Sequence, residues 1–549
     1  MARRLDALSA GRRASRVPWW LPGALALATI GALAALPMAA MLVEAGALEP
    51  RTLLADPWIA RVVRFSLWQA TLSTLLSLAF ALPVALALSH APRFPGRGLL
   101  VTLFGLTLVI PTIAAIYGIV AVYGRNGWAN AALGTLGLEP LSLYGLSGIL
   151  LGHVFFNMPL AARVLLQSLE GIPDEAWRLS AQLGMGPLAR LRLIEWPTVL
   201  APLVGVAVLI FALCFTSFAI VMTLGGGPRA TTIEVAIYQA LRFDFDLPLA
   251  VALALVQLAL CVALMIGASF APTDQALGYA RPTNDTGGWR PARTAATRAV
   301  GALVIALAAL FVALPLAALL VSMINAKTLA VLVDPATLGA ARATLATALA
   351  AALLSLALAL GLLVTVRHLR VRLGHERVGR WLQLSGNVIL VLPPVVLGTG
   401  LFLLLRPWAD VFSLALVLVV AINALMALPF ALRVLEAPML RTAREHDRLL
   451  QSLGIRGWHR WRLIDWPVLR RPVGLALAMA ATLSAGDLSA IALFGSERVR
   501  TLPLLLYQRM GSYRLEEAAV TAGLLLVVCL ALFALLQRVV GEGVGARAR

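Results

Sequence analysis

Apolar runs dominate the chain and polar stretches between them are short. Runs fall near 21–43, 65–88, 99–123, 146–166, 199–222 and 249–270, and again near 299–323, 343–366, 382–405, 413–432, 473–494 and 519–536. A bilayer-spanning helix needs about 20 such residues. Pro83, Pro111, Pro159, Pro393, Pro394 and Pro429 fall within runs; membrane helices accommodate proline where neighbours satisfy the freed carbonyls. The pattern predicts an all-α integral membrane protein with about 12 transmembrane helices.

The second set of runs repeats the first. At an offset of 270, Pro159 and Arg163 match Pro429 and Arg433, and Glu175, Gly184 and Trp196-Pro197 match Glu445, Gly454 and Trp466-Pro467. At 269, Thr232 and Tyr238-Gln239 match Thr501 and Tyr507-Gln508. Six spans separate the copies, so both have the same topology and form a parallel repeat about an axis along the membrane normal. The expected organisation is a basic N-terminus and first span (1–60), a first unit (61–270) and an exposed inside linker (271–298) containing Pro272, Pro282, Gly287, Gly288 and Pro291. A seventh span with its outer loop (299–337), a second unit (338–537) and a short tail (538–549) follow.

Composition agrees: 60% of residues are hydrophobic and 13% charged, against about 25% charged in soluble domains. A soluble enzyme and a disordered chain are both excluded. The net charge of +19 is a topology signal. With both termini inside, the inner segments hold 32 arginines and the outer loops 13 basic residues, as the positive-inside rule requires. No nucleic-acid motif accompanies the charge. Arg3, Arg4, Arg12, Arg13 and Arg16 precede the first run and Ala45-Gly46-Ala47 resembles a cleavage site, but the run exceeds a signal-peptide core and reads as an uncleaved span. Cys214, Cys261 and Cys529 lie in apolar stretches and read as buried small hydrophobes.

The inside loops after spans four and ten carry the most information. Glu175 to Gly184 and on to Pro197 repeats as Glu445 to Gly454 and on to Pro467, both fitting Glu-x8-Gly-x12-Pro. Each reads as a short capped helix, a turn and a second short helix. Asp174 suits the first cap, Thr442 with Glu445 has the spacing of a capping box, Gly184 and Gly454 suit the left-handed position after a helix end, and Pro187 can open the next helix. Ala176, Leu179 and Leu183 share a face, as do Leu449 and Leu453. The plain alternative is a pair of amphipathic helices lying on lipid headgroups, which does not call for the same spacing twice. A rigid hook present once per half suits a partner present in two copies.

These doubled loops resemble the EAA loop of permease subunits in ATP-binding-cassette importers. The resemblance implies the type I importer (MetI-like) permease fold, with five core helices and one extra span per half. It also implies that each loop is a coupling helix seated in a groove of an ATPase subunit, with Glu175, Gly184, Pro197, Glu445, Gly454 and Pro467 as coupling residues. Trp177 replaces the second alanine of the pattern, and His446-Asp447 replace both alanines of the second copy. More narrowly, Val63–Ala70, His153–Asn157, Gly225–Glu234, Asn423–Ala427, Arg500–Pro503 and Gly511–Arg514 resemble the thiamine permeases of bacterial inner membranes. That implies two ATPase subunits on the cytoplasmic side and a periplasmic thiamine-binding protein on the outer side.

No phosphate-binding loop exists: the sole lysine, Lys327, lacks the glycine frame such a loop needs. ATP hydrolysis therefore belongs to a separate subunit. The histidines and cysteines show no metal-ligand spacing, no catalytic constellation is present, and no cofactor is expected. Asp487 is the one acid placed well inside a span. Such a group must face protein or water, and the resemblance makes it a candidate to attract the thiazolium of thiamine. Pairing with a neighbour such as Ser484 is the alternative. Asn157 and Asn423 are further pathway candidates that equally suit helix–helix hydrogen bonds. The outer segments Thr223–Asp246 and Gly495–Glu517 suit either a docking surface or plain solvent connections. Fused iron(III) permeases share the doubled architecture and stay open as an alternative, as does an ion-coupled secondary transporter.

Overall fold

The computed structural model describes residues 18–45, 56–107, 109–269, 290–291, 294–387, 389, 392–455, 457–496 and 499–541, all helical or in short connections. Much of the expected linker, including Pro272, Pro282, Gly287 and Gly288, lies outside these residues, as do the basic N-terminus and the tail. Among the described residues ten helices are long and apolar enough to cross a membrane. The chain begins with α1 (Leu21–Ala45) and α2 (Pro57–His90), then α3 (Arg97–Leu106), α4 (Thr112–Tyr123), α5 (Trp128–Thr135) and α6 (Leu146–Glu170). The short α7 (Asp174–Gln182) leads into α8 (Pro187–Phe215), α9 (Ala219–Leu224), α10 (Ile233–Arg242) and α11 (Leu247–Ser269). The second half begins with α12 (Ala295–Ser322), α13 (Thr328–Val333), α14 (Pro335–Arg372), α15 (Glu376–Asn387) and α16 (Pro394–Leu405). It ends with α17 (Ala415–Ser452), α18 (Gly457–Gly486), α19 (Ser489–Phe494), α20 (Leu502–Gly511) and α21 (Leu515–Gly541).

The repeat extends further than the sequence match. α2 and α14 open alike: Asp56 accepts from the Trp58 N–H at 2.7 Å ahead of Pro57, and Asp334 accepts from the Ala336 N–H at 3.2 Å ahead of Pro335. Both are N-cap aspartates followed by the proline that best tolerates a first helical turn. Within each half the same partners pack: α2 on α6 and α14 on α17. The extra spans cross over. α1 lies on α14 and α16 of the second half, and α12 lies on α2 and α4 of the first. Small residues make these crossings close: a Cβ on Gly118 would meet the Pro315 carbonyl, and one on Gly400 would meet Pro37.

Two of the twelve expected spans contain no single helix long enough to cross a membrane. The run 99–123 divides into α3 and α4 at Pro111, and 382–405 divides into α15 and α16 at Pro393-Pro394. Pro111 and Pro393 hold extended backbone and Pro394 opens α16, because the ring excludes an α-helical predecessor and offers no N–H. Pro83, Pro159 and Pro429 remain inside α2, α6 and α17. Spans five and eleven also end early, at Thr216–Phe218 and at Asp487-Leu488. The outer segments beyond these breaks are more than solvent connections: each carries a helix, α10 or α20, that folds back and is mostly buried. Each is started by a hydroxyl from the second long helix of its own half, Ser66 Oγ accepting from Ile233 N–H at 3.0 Å and Thr344 Oγ1 from Leu502 N–H at 2.8 Å.

Candidate functional site: paired hooks and a central cavity

The hooks leave the bundle on one side. Ahead of α12, Arg290 pairs with Asp174 of the first hook, and beyond the other end of α12 Asn325 donates to the Glu516 carbonyl on the far side; α14 then returns from Asp334 to Arg367 beside the second hook. In both hooks the glycine turn is as expected, with Gly184 at φ 63° and Gly454 at φ 68°. The next N–H reaches back to close the helix end, Met185 to the Ser180 carbonyl and Ile455 to the Leu450 carbonyl, a Schellman closure that a left-handed residue makes possible. A second short helix follows, opened in the first hook by Pro187. It widens into one π turn, Leu191–Glu195 and Trp461–Asp465. Pro197 and Pro467 sit just beyond. They have no N–H to return, and the wider turn makes room for the ring.

The caps differ from the expected ones. Pro173 occupies the first N-cap, and Asp174 is the first residue of the helix. In the second copy there is no separate short helix: α17 runs unbroken from the span to Ser452. Thr442 is mid-helix, its hydroxyl donating to the Pro438 carbonyl at 2.8 Å, so no capping box forms. Glu175 and Glu445 are exposed. Around them each hook presents four apolar side chains more than half exposed: Leu179, Leu183, Leu188 and Leu193 in the first, Leu449, Leu453, Trp458 and Leu463 in the second. The two sets correspond position by position.

Each hook is tied to its own half by buried charge that the sequence did not disclose. Glu195, at the end of the first π turn, pairs with His90 at the end of α2. Its counterpart Asp465 accepts from Arg367 at 3.0 Å and Arg460 at 3.1 Å. The position where both copies depart from the family pattern points into the body. Trp177 is 2% exposed, with the Arg290 guanidinium 4.8 Å from its ring centre. Asp447, also buried, is held by Arg372 at 2.9 Å and by Arg460. Burial lowers the Arg290 guanidinium below its ordinary range against the pull of Asp174, Glu170 and Glu195, and it remains a cation.

Between the halves lies a cavity of about 400 Å³, within the range of small-molecule sites. Ile110 and Pro111 at the α3–α4 break, His153 and Asn157 of α6, Thr216 and Ser217 after α8, Arg433 of α17, and Thr482 and Asp487 line it. Asp487 is not inside a continuous span. It ends α18 at the break, and its carboxylate accepts from the N–H groups of Ser489 at 3.2 Å and Ala490 at 3.0 Å, capping α19. Asn157 lines the cavity and donates to Cys214 Sγ at 3.3 Å. Asn423 does not line this cavity; it donates to Ser484 Oγ at 3.0 Å. Its repeat counterpart is His153, which hydrogen-bonds Ser73 at 2.8 Å. Cys214, Cys261 and Cys529 are buried free thiols, and Tyr117 is packed, donating to the Leu515 carbonyl across the seam.

Residues 358–545 match the family model described as a binding-protein-dependent transport system inner membrane component. The thiamine transport system permease protein ThiP of Brucella abortus is 46% identical over 519 residues, 94% of each chain. The proteins of the same name from Salmonella typhimurium and Escherichia coli are each 44% identical, over 97% of this chain and 99% of theirs.

Proposed function

The chain belongs to the family of thiamine transport system permeases, the inner-membrane components of binding-protein-dependent transport systems, and we propose that it imports thiamine across a bacterial inner membrane in an ATP-driven complex. The family relationship over nearly the whole length carries this reading. Residues 61–270 and 338–537 act as the two permease domains, with both termini cytoplasmic. Two copies of an ATPase subunit seat on Glu175–Gly184 and Glu445–Gly454, and their exposed apolar sets supply matched contact surfaces. A thiamine-binding protein delivers cargo to the far side. Closure of the ATPase pair draws the hooks together and opens the cavity between the halves outward; hydrolysis resets it.

The structural support for coupling is the pairing of a rigid end with a rigid root. The glycine turn and π turn fix the shape of each hook, while Glu195 with His90, and Asp465 with Arg367, fix it to the second long helix of its half. A force applied at the exposed leucines is thus passed to α2 or α14 without bending the hook. Uptake of radiolabelled thiamine by a permease-deletion strain, with and without this chain, tests the cargo. Restored uptake is expected, and unchanged uptake rejects thiamine while leaving the importer reading to the ATPase test below.

A further inference from the structure

The outer turns that follow α10 and α20 break a rule that the hooks keep. Among the described residues only Phe245, at φ 53°, and Tyr513, at φ 58°, hold a positive φ without being glycine. Each closes its helix as the hook glycines do. The next N–H reaches back, Asp246 to the Ala240 carbonyl at 2.9 Å and Arg514 to the Arg509 carbonyl at 3.0 Å. Glycine meets this demand without strain, and the chain uses it at Gly184 and Gly454. A Cβ makes the left-handed region unfavourable, and a bulky aromatic there is an outlier of the kind that collects at functional positions. Packing within the bundle does not offset the strain, because Phe245 is 75% and Tyr513 88% exposed.

Both turns stand on the side away from the hooks, beside the seam between the halves. Just beyond Tyr513, the Leu515 carbonyl accepts from Tyr117 of the first half at 3.1 Å, and the Glu516 carbonyl accepts from Asn325 on the far side. Just ahead of Phe245, Arg242 donates to the Gly495 carbonyl of the second half at 2.7 Å and lies 5.2 Å from the Phe412 ring centre. α10 packs on α16 and α19 of the other half, and α20 on α4. The surroundings of the two rings differ in sign. Asp244 and Asp246 flank Phe245, and both are exposed. Beside Tyr513, Lys327, Arg500, Arg509 and Arg514 line one groove with Asp334 and Glu517, and Glu516 at its edge pairs with Lys327 at 3.6 Å. Cations outnumber acids there, whereas the first turn carries two carboxylates.

We propose that Phe245 and Tyr513 are the two anchor rings of the outer docking surface, each entering an apolar pocket on a separate patch of the soluble binding protein, and that the unlike charge around them admits that protein in one orientation only. This rests on the binding-protein reading, which the family description supports. Exposed aromatics rimmed by charge have the composition of interface anchors. A partner spanning the seam meets both rings at once. Two identical halves would accept it either way round; this chain offers an acidic turn and a basic one. The patch over Phe245 is therefore basic and the patch over Tyr513 acidic, because complementary charge fixes register.

The test uses the full chain with its ATPase subunits in lipid nanodiscs, titrated with purified thiamine-binding protein. Phe245→Gly and Tyr513→Gly are each expected to weaken binding about ten-fold, as loss of an interface anchor does. The unfolding temperature of the complex should stay level or rise, since glycine relieves the strained φ; a ring with a merely structural role would lower it. A photo-crosslinking residue placed at 245 and one placed at 513 should label two different patches of the binding protein. Asp244→Arg and Arg514→Glu should slow association at low salt, and the difference should shrink at high salt. Wild-type affinity in either glycine variant, a lowered unfolding temperature in both, adducts to lipid alone, or one shared patch labelled from both positions overturns the anchors while sparing the binding-protein reading. Unchanged association in both charge variants overturns the single orientation. A wild-type complex that does not bind the protein at all removes the binding-protein reading as well.

Discussion

The two hooks have nearly the same outer shape and different roots. Both turn at a left-handed glycine, widen into a π turn and offer four exposed apolar side chains at matching positions. Yet the first is a separate helix after Gly171–Pro173, while the second is the uninterrupted end of α17. At the matched position that faces the body, one uses an aromatic ring under Arg290 and the other a carboxylate gripped by Arg372 and Arg460. The shared geometry is on the exposed surface, and the divergence is in the anchorage. A hook needs a fixed root but not a particular chemistry for it. The first root also draws on Arg290, ahead of α12, so the segment joining the halves reaches the first hook and not, among the described residues, the second.

The comparison can be broken by exchanging the roots. The double variant Trp177→Asp with Asp447→Trp should loosen both hooks. It places an acid near Glu170 and Glu195 and leaves Arg372 and Arg460 without their carboxylate. Hydrogen exchange across 174–185 and 442–455 should rise in both segments, and ATPase co-purification should fall most of all. Trp177→Ala alone removes a fully buried ring, a change that costs about 3–5 kcal/mol, and should raise exchange in the first hook only. Asp447→Ala leaves buried Arg460 sharing Asp465 alone. Breaking a buried pair costs about 3 kcal/mol, and here the second hook should respond and not the first. Arg290→Ala deletes the stacking on Trp177 and the 3.5 Å pair with Asp174, a loss of about 1 kcal/mol. Exchange in the first hook should rise slightly, with Arg290→Lys intermediate.

What the sequence disclosed was local. Gly184, Gly454, Pro197 and Pro467 were legible because a positive φ and a missing N–H are demands that single residues answer. The apolar faces of the hooks followed from helical spacing. The prolines show the limit. Pro111 and Pro393 break their spans while Pro83, Pro159 and Pro429 do not, and the residue type is the same; the surrounding packing decides. The anchoring pairs join residues about a hundred positions apart, Glu195 with His90 and Asp465 with Arg367. Only the fold brings these together. The departures at Trp177 and Asp447 were the available signal, since a pattern broken at the same place in both copies marks a position with a job of its own. The helix α10 is masked in the sequence by the glycines and acids that flank it in 223–246, although Ile233, Val235, Ile237, Tyr238 and Leu241 hold apolar positions of a buried helix.

The central claim is that both hooks receive a separate ATPase. Photo-crosslinking from Leu179 and from Leu449, each on the exposed apolar set of its hook, tests it in the assembled complex. The account predicts an adduct to the ATPase subunit from both positions, strengthened by ATP when hydrolysis is blocked. Adducts to lipid alone from both positions, with the ATPase still bound after both hooks are deleted, would contradict it.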